Sequence, residues 1–154
     1  MAREPPAQRT MLMGQRLWRT AERDLASARM NLQPGGYYVA AYLAHQATEK
    51  ALKAAHWHQR GEEAPWTHDL SVVAERLTEQ PGDIPAGVRV ALAQLDPVYE
   101  RSRYPTGNVN DPIPADLFGE QEGRLAIGSA EEVMAWVQTL LQRPPGRARP
   151  TKSS

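Results

Sequence analysis

The chemistry-bearing residues of this chain concentrate in one stretch, Tyr99-Glu100-Arg101-Ser102-Arg103-Tyr104-Pro105-Thr106-Gly107-Asn108. Two arginines and two tyrosines stand where a helix is expected to stop. A guanidinium presents a planar fork of donors that fits phosphate, and a tyrosine ring gives a base a face to stack on. An arginine at a helix C-terminus is also favoured by the helix dipole alone, so the same residues fit a purely structural role. Arg101 and Arg103 are two apart and diverge on a continuous helix, so only one of them can enter a given cleft. Pro105 disfavours helical geometry at Tyr104, which puts Arg103 at a hinge. Functional groups are commonly carried on such loops, held by a rigid scaffold.

A second group lies earlier in the chain. Glu49 and Lys53 are spaced i, i+4 in the favourable order. They read either as a surface ion pair of small value or as the lining of a cleft. Thr67-His68-Asp69 precedes an apolar run. Thr67 is the expected N-cap, Asp69 complements the positive end of the helix, and His68 is a candidate for the same cleft. The histidines are His45, His56, His58 and His68. On a helix His56 and His58 point about 200° apart and cannot share a metal. With no cysteine in the chain, neither a metal nor a cofactor is expected.

The elements that must position these groups are helical. Met11, Gly14, Trp18, Ala21, Leu25, Ala28 and Leu32 recur at spacings of three and four, the stripe of a long first helix. Pro34-Gly35-Gly36 stops it. A second helix over Tyr37 to Gln59 is apolar nearly all round, and such a helix belongs at the centre of a bundle. A shorter third helix carries Leu70, Val73, Ala74 and Leu77. A fourth begins near Pro85 and runs through Val88, Leu92, Leu95 and Tyr99, with a kink expected at Pro97. Residues 104–116 form a proline-punctuated loop. A fifth helix from about Gly119 to Gln142 carries Ala126, Ala130, Val133, Val137 and Leu140. The expected fold is all-α: an up-and-down antiparallel bundle of four main helices plus a shorter one, over residues 11–143. Residues 1–10 read as a flexible arm, and the basic Pro/Gly/Ser-rich tail 144–154 reads as disordered.

Bulk properties set the outer bounds. The chain has 154 residues, 41% hydrophobic, with mean hydropathy −0.58. That is enough for one domain with a real core. No apolar run approaches the roughly 18 residues of a membrane span. The first ten residues have no signal-peptide core. A cytoplasmic protein is the expectation. Eighteen basic and eighteen acidic residues cancel, which argues against a strongly electrostatic, non-specific nucleic-acid binder. The alanine-rich second helix, with Tyr38 and Tyr42, carries more apolar surface than one small bundle needs. Pairing into a homodimer is expected to hide it.

Several ordered pieces resemble the HEPN domain, the helical nucleotide-binding domain of higher eukaryotes and prokaryotes. They are Ala21, Asp24 and Leu25 on the first helix; Gly36 to Tyr42 leading into the second; Gln46-Ala47-Thr48-Glu49-Lys50-Ala51-Leu52-Lys53-Ala54; Thr67-His68-Asp69-Leu70; and Tyr99 through Arg103-Tyr104-Pro105. The resemblance spans about residues 12–142. It implies an up-and-down bundle that usually dimerises and two dominant roles. Many members accompany a minimal nucleotidyltransferase, often in toxin–antitoxin modules. Others are metal-independent ribonucleases with an arginine followed, after four to six residues, by a histidine. Here Arg103, Tyr104 and Asn108 match that pattern, but the next residue is Val109, and no histidine follows His68. Valine cannot handle a proton, so the resemblance implies a binding site without catalysis. The leading expectation is a non-catalytic dimer that binds a nucleotide or RNA phosphate near Arg103 and partners a nucleotidyltransferase. The alternatives are a ribonuclease that has moved its histidine role to His45 or His68, and a structural subunit in which Glu49 neutralises Arg103.

Overall fold

A computed structural model describes residues 6–146. Every regular element among them is helical: α1 Pro6–Met30, α2 Tyr37–Arg60, α3 Leu70–Glu75, α4 Ala86–Leu95, α5 Val98–Arg101, α6 Pro114–Leu117 and α7 Glu120–Leu141, with a 3-10 turn at Pro81–Asp83. This is the expected helical bundle. Its main helices are α1, α2, α4 and α7, and α3 is the shorter one. None of the described helices is long and apolar enough to cross a membrane.

The central helix is α2. It packs against α1 on one side and α7 on another, and α3 and α5 lean on it as well; α4 reaches the core through α7. The sequence explains this position. Ala40, Ala41, Ala44, Ala47, Ala51, Ala54 and Ala55 are all fully buried, so neighbouring helices approach its backbone on several sides. The alanine surface that suggested a dimer is thus already covered within one chain, and it no longer argues for pairing.

The ends of the helices follow from turn chemistry. Gly61, at φ 67°, ends α2 in the left-handed conformation, and its N–H donates to Trp57 O at 2.9 Å. Gly36 enters α2 so close to Asn31 O that an added Cβ would lie 2.4 Å from it, which excludes any other residue without a backbone shift.

Three boundaries differ from the sequence expectation. First, α1 starts at Pro6, so residues 6–10 are helix rather than arm; proline is tolerated at a first helical position, where the missing donor would be unpaired anyway. Residues 1–5 lie outside the described residues. Second, the kink expected at Pro97 is a break, with Asp96 and Pro97 separating α4 from α5. Third, the proline-rich loop contains one helical turn, α6, opened by Pro114. Of the tail, residues 144–146 are described. Gly146 N–H donates to His58 O at 3.1 Å, so the chain leaving α7 first docks on the end of α2. Residues 147–154 lie outside the described residues.

Candidate functional site

The site grows from the start of α3. Its N-cap is Asp69, whose Oδ1 accepts from Val72 N at 3.2 Å. Thr67, expected in that role, instead accepts from Asp69 N through its hydroxyl at 3.1 Å and shapes the turn before the cap. Asp96, at the break after α4, accepts from Leu70 N at 2.8 Å and from Ser71 Oγ at 2.6 Å. Three side chains therefore fix this turn, and the turn delivers His68 to the face of α2.

There His68 Nδ1 donates to Glu49 Oε1 at 2.7 Å. A carboxylate can only accept, so the proton sits on Nδ1 and Nε2 is left free. Glu49 is 6% exposed, and its other oxygen lies 3.6 Å from Lys53 Nζ. The next residue, Lys50, pairs with Asp24 of α1. Adjacent positions on α2 thus serve opposite neighbours, Glu49 the site and Lys50 the bundle. With Glu49 buried and Lys53 largely so, the Glu49–Lys53 pair is not an exposed surface pair.

The His68 ring stacks on Tyr99 at 4.1 Å between centroids and 16° between planes. Tyr99 in turn carries Arg103, whose guanidinium carbon lies 4.6 Å from the ring centroid. The same guanidinium is 5.2 Å from the Tyr104 ring and 6.0 Å from that of Tyr42. Backbone geometry places it: Ser102 is buried, with Oγ donating to Val98 O at 2.6 Å, and Tyr104 N still donates to Glu100 O at 3.0 Å. The helix tightens into a last turn, and the chain then leaves at Tyr104-Pro105. Arg103 is exposed and makes no ion pair or hydrogen bond through its side chain among the described residues. It borders a shallow cavity of about 370 Å³, lined also by Tyr38, Val39, Tyr42, Ser102 and Tyr104. The pair of Glu49 with Arg103 in the structural alternative is not formed: Glu49 pairs with His68 and Lys53 instead.

Not every candidate joins the cluster. Arg101 is exposed and belongs to none of these contacts. Asn108 spends its side chain locally, accepting from Asn110 N at 3.0 Å, while its backbone oxygen accepts from Asp111 N at 3.1 Å. Val109 is 97% exposed on this self-bonded loop.

Asp96, Tyr38 and Tyr42 were not assigned to the site from the sequence, and His45 was a candidate only under the ribonuclease alternative. Asp96 anchors α3 from a helix end 26 residues away, and no local spacing reports that. Tyr38 and Tyr42 were assigned to a dimer surface and instead line the cavity. His45 is fully buried, its ring tilted 42° to Tyr99 at 5.3 Å, with no hydrogen-bond partner for either nitrogen among the described residues. Burial pushes its pKa below the ordinary 6.5; the carboxylates of Glu49 and Asp96 and the backbone of His68 oppose that, and the His68 ring adds to it. No group of three or more metal-ligating side chains occurs among the described residues.

The HEPN domain family model matches residues 15–140. The chain belongs to the HEPN family. Three solved structures share its fold. TT1696 from Thermus thermophilus is similar with a TM-score of 0.74 and 28% identity, covering 83% of this chain and 98% of that one. ST0689, described as an archaeal HEPN homologue, gives 0.67 and 29%, covering 84% and 98%. A HEPN domain protein, tm0613 from Thermotoga maritima, gives 0.64 and 25%, covering 83% and 98%. No curated protein matches the chain. The motif pieces that carried the resemblance now have structural roles in this HEPN domain. Glu49, His68, Tyr99 and Arg103 form one continuous chain of contacts, and Lys50 ties α2 to α1.

Proposed function

We propose that this HEPN domain binds the phosphate of a nucleotide or RNA at Arg103 and does so without cleaving it. The observation that carries the reading is the state of that arginine: a guanidinium held over Tyr99, exposed, with no acceptor on its donors and an open aromatic cavity beside it. A guanidinium stacked on a ring keeps its fork edges free for phosphate. Lys53 and His68 stand behind it, joined to it through Glu49 and Tyr99. Pairing with a second copy and work beside a minimal nucleotidyltransferase belong to the same proposal and rest on family membership.

The experiment is calorimetry with Arg103→Ala. The variant keeps its helical content and unfolding midpoint and loses nucleotide or RNA binding. A wild-type protein that binds neither at millimolar concentration removes the reading.

One observation favours a second reading, an atypical metal-independent ribonuclease. His68 is oriented by a buried carboxylate with Nε2 free, as a general base would be, and shares Tyr99 with Arg103. His45 is unsuited to that work because it is fully buried. Cleavage of unstructured RNA in chelator, abolished by both His68→Ala and Arg103→Ala, would establish this reading over the first.

A further inference from the structure

The lining of the Arg103 cavity bears on what kind of ligand it accepts, given that it is the phosphate site proposed above. Six residues make it: Tyr38, Val39, Tyr42, Ser102, Arg103 and Tyr104. Reading the identity of a base requires a fixed pattern of donors and acceptors along its edge. Among the six only Arg103 carries a fixed donor pattern, and in the proposed site that fork goes to a phosphate. There is no amide and no carboxylate among their side chains. Ser102 has committed its proton to Val98 O. Tyrosine hydroxyls both donate and accept, and so match either kind of base edge. Asn108 is not in the lining, and its Oδ1 accepts from Asn110 N in its own loop. What the cavity does offer is aromatic face, with Tyr104 59% exposed and Tyr38 and Tyr42 half-buried, beside the Arg103 cation, which is unpaired among the described residues.

We infer that this surface is a base-blind stacking platform for an unpaired polynucleotide strand rather than a selective pocket for one nucleotide. Rings accept any base, because every base has a π-face, and Arg103 takes one backbone phosphate. The cavity is open and bounded by α2 on one side and the end of α5 on the other, so a strand passes across it. A duplex keeps its bases stacked internally and presents none to the rings. Nothing in the lining contacts a 2′-hydroxyl selectively, so RNA and DNA strands of one sequence bind alike.

The test is a set of titrations on the full chain, read by fluorescence anisotropy for strands and by calorimetry for mononucleotides. The four mononucleotides bind weakly and within about threefold of one another. Unpaired strands of about twelve nucleotides bind more tightly, and the matching duplex does not. With a single phosphate neutralised, log affinity falls against log salt with a slope near −0.7, as for one contact on a single strand. Tyr104→Ala weakens strand binding by about tenfold, within the range measured for loss of one stacked base. Selectivity of more than about tenfold for one base, for RNA over DNA, or for duplex over single strand overturns the inference while leaving Arg103 as a phosphate site. Absence of all binding overturns both.

Discussion

The two ends of the bundle each offer an arginine, an aromatic ring and a cavity, yet they differ in kind. The larger cavity, about 620 Å³, lies where α2 and α7 end, with Arg60, Trp136 and Arg143 in its walls. There Arg60 and His58 are used by the chain itself, while the exposed Arg143 side chain makes no hydrogen bond or ion pair among the described residues. Arg60 donates to Arg76 O through Nε at 3.3 Å and Nη2 at 2.8 Å. His58 Nε2 donates to Arg143 O at 2.7 Å, and Gly146 N–H covers His58 O. Glu79 and Asp83 add negative charge to the rim. At the smaller cavity the ordering is reversed: the buried carboxylate is satisfied behind, and the guanidinium in front is left open. Volume therefore does not select the site. What separates the smaller one is a guanidinium stacked on Tyr99, whose other neighbour is the His68–Glu49 pair.

The sharpest way to break that comparison is to remove one arginine from each end. Arg103→Ala is expected to cost at least tenfold in nucleotide or RNA affinity, since a hydrogen bond to a charged group contributes about 1.5–3 kcal/mol. Arg60→Ala should leave affinity unchanged and lower stability slightly, through the loss of its bonds to Arg76 O. Equal effects on binding at both ends would show that the contrast between them is false.

A second effect concerns the scaffold behind the site. Asp96→Ala leaves Leu70 N and Ser71 Oγ without their acceptor in a part-buried position. Losing the acceptor of a buried donor costs about 1–3 kcal/mol. A denaturant midpoint unchanged from wild type would show that the start of α3 needs no anchor from α4. Asp96→Asn, which keeps one carbonyl oxygen, is expected to recover part of the loss.

Much of the architecture was legible because its signals are local. Proline and glycine mark the ends of α1, α2 and α4, and the apolar stripes of α1 and α7 repeat at helical spacing. The limits of that legibility are also physical. Whether Thr67 or Asp69 caps α3 depends on which residue the backbone leaves non-helical, and both have the chemistry for it. That Glu49 meets His68 rather than Arg103 depends on how α3 and α5 are placed over α2, which spacing along one helix does not encode. The burial of His45 was equally hidden, since a histidine on a helix reads the same whether it faces solvent or core. The choice between the two tyrosine roles needed the neighbouring helices: once α1 and α7 cover the alanines, Tyr38 and Tyr42 are left beside Arg103.

The capping assignment itself is testable at a smaller scale. Asp69→Ala is expected to lower stability by about 1 kcal/mol, as losses of an N-cap do. Thr67→Ala should cost less, because its hydroxyl bonds only the turn before the helix. Thermal or denaturant unfolding of the two variants side by side decides the order. A larger loss for Thr67→Ala would return the cap to the residue the sequence favoured.

The smallest effect separates the two histidines beside Tyr99. His45 is fully buried and its pKa lies below the ordinary 6.5, chiefly because burial disfavours the charged ring. The unfolded chain therefore binds more protons than the folded one once pH drops through 6.5, and stability is lost as pH falls, down to the folded-state value. A single such group cannot give a slope steeper than about 1.4 kcal/mol per pH unit. Other groups titrate over the same range, so the measurement is a difference: unfolding free energy of wild type minus that of His45→Leu, followed from pH 7.5 to about 5.5. The variant should also be the more stable of the two, since leucine fills the position without leaving two ring nitrogens unpaired. The sign of the slope is decisive. Glu49, Asp96 and the His68 backbone all act to raise this pKa. If their pull outweighed burial, wild type would gain stability relative to the variant as pH falls. That result would place His45 as a charged partner of Glu49 rather than as a neutral ring packed behind Tyr99.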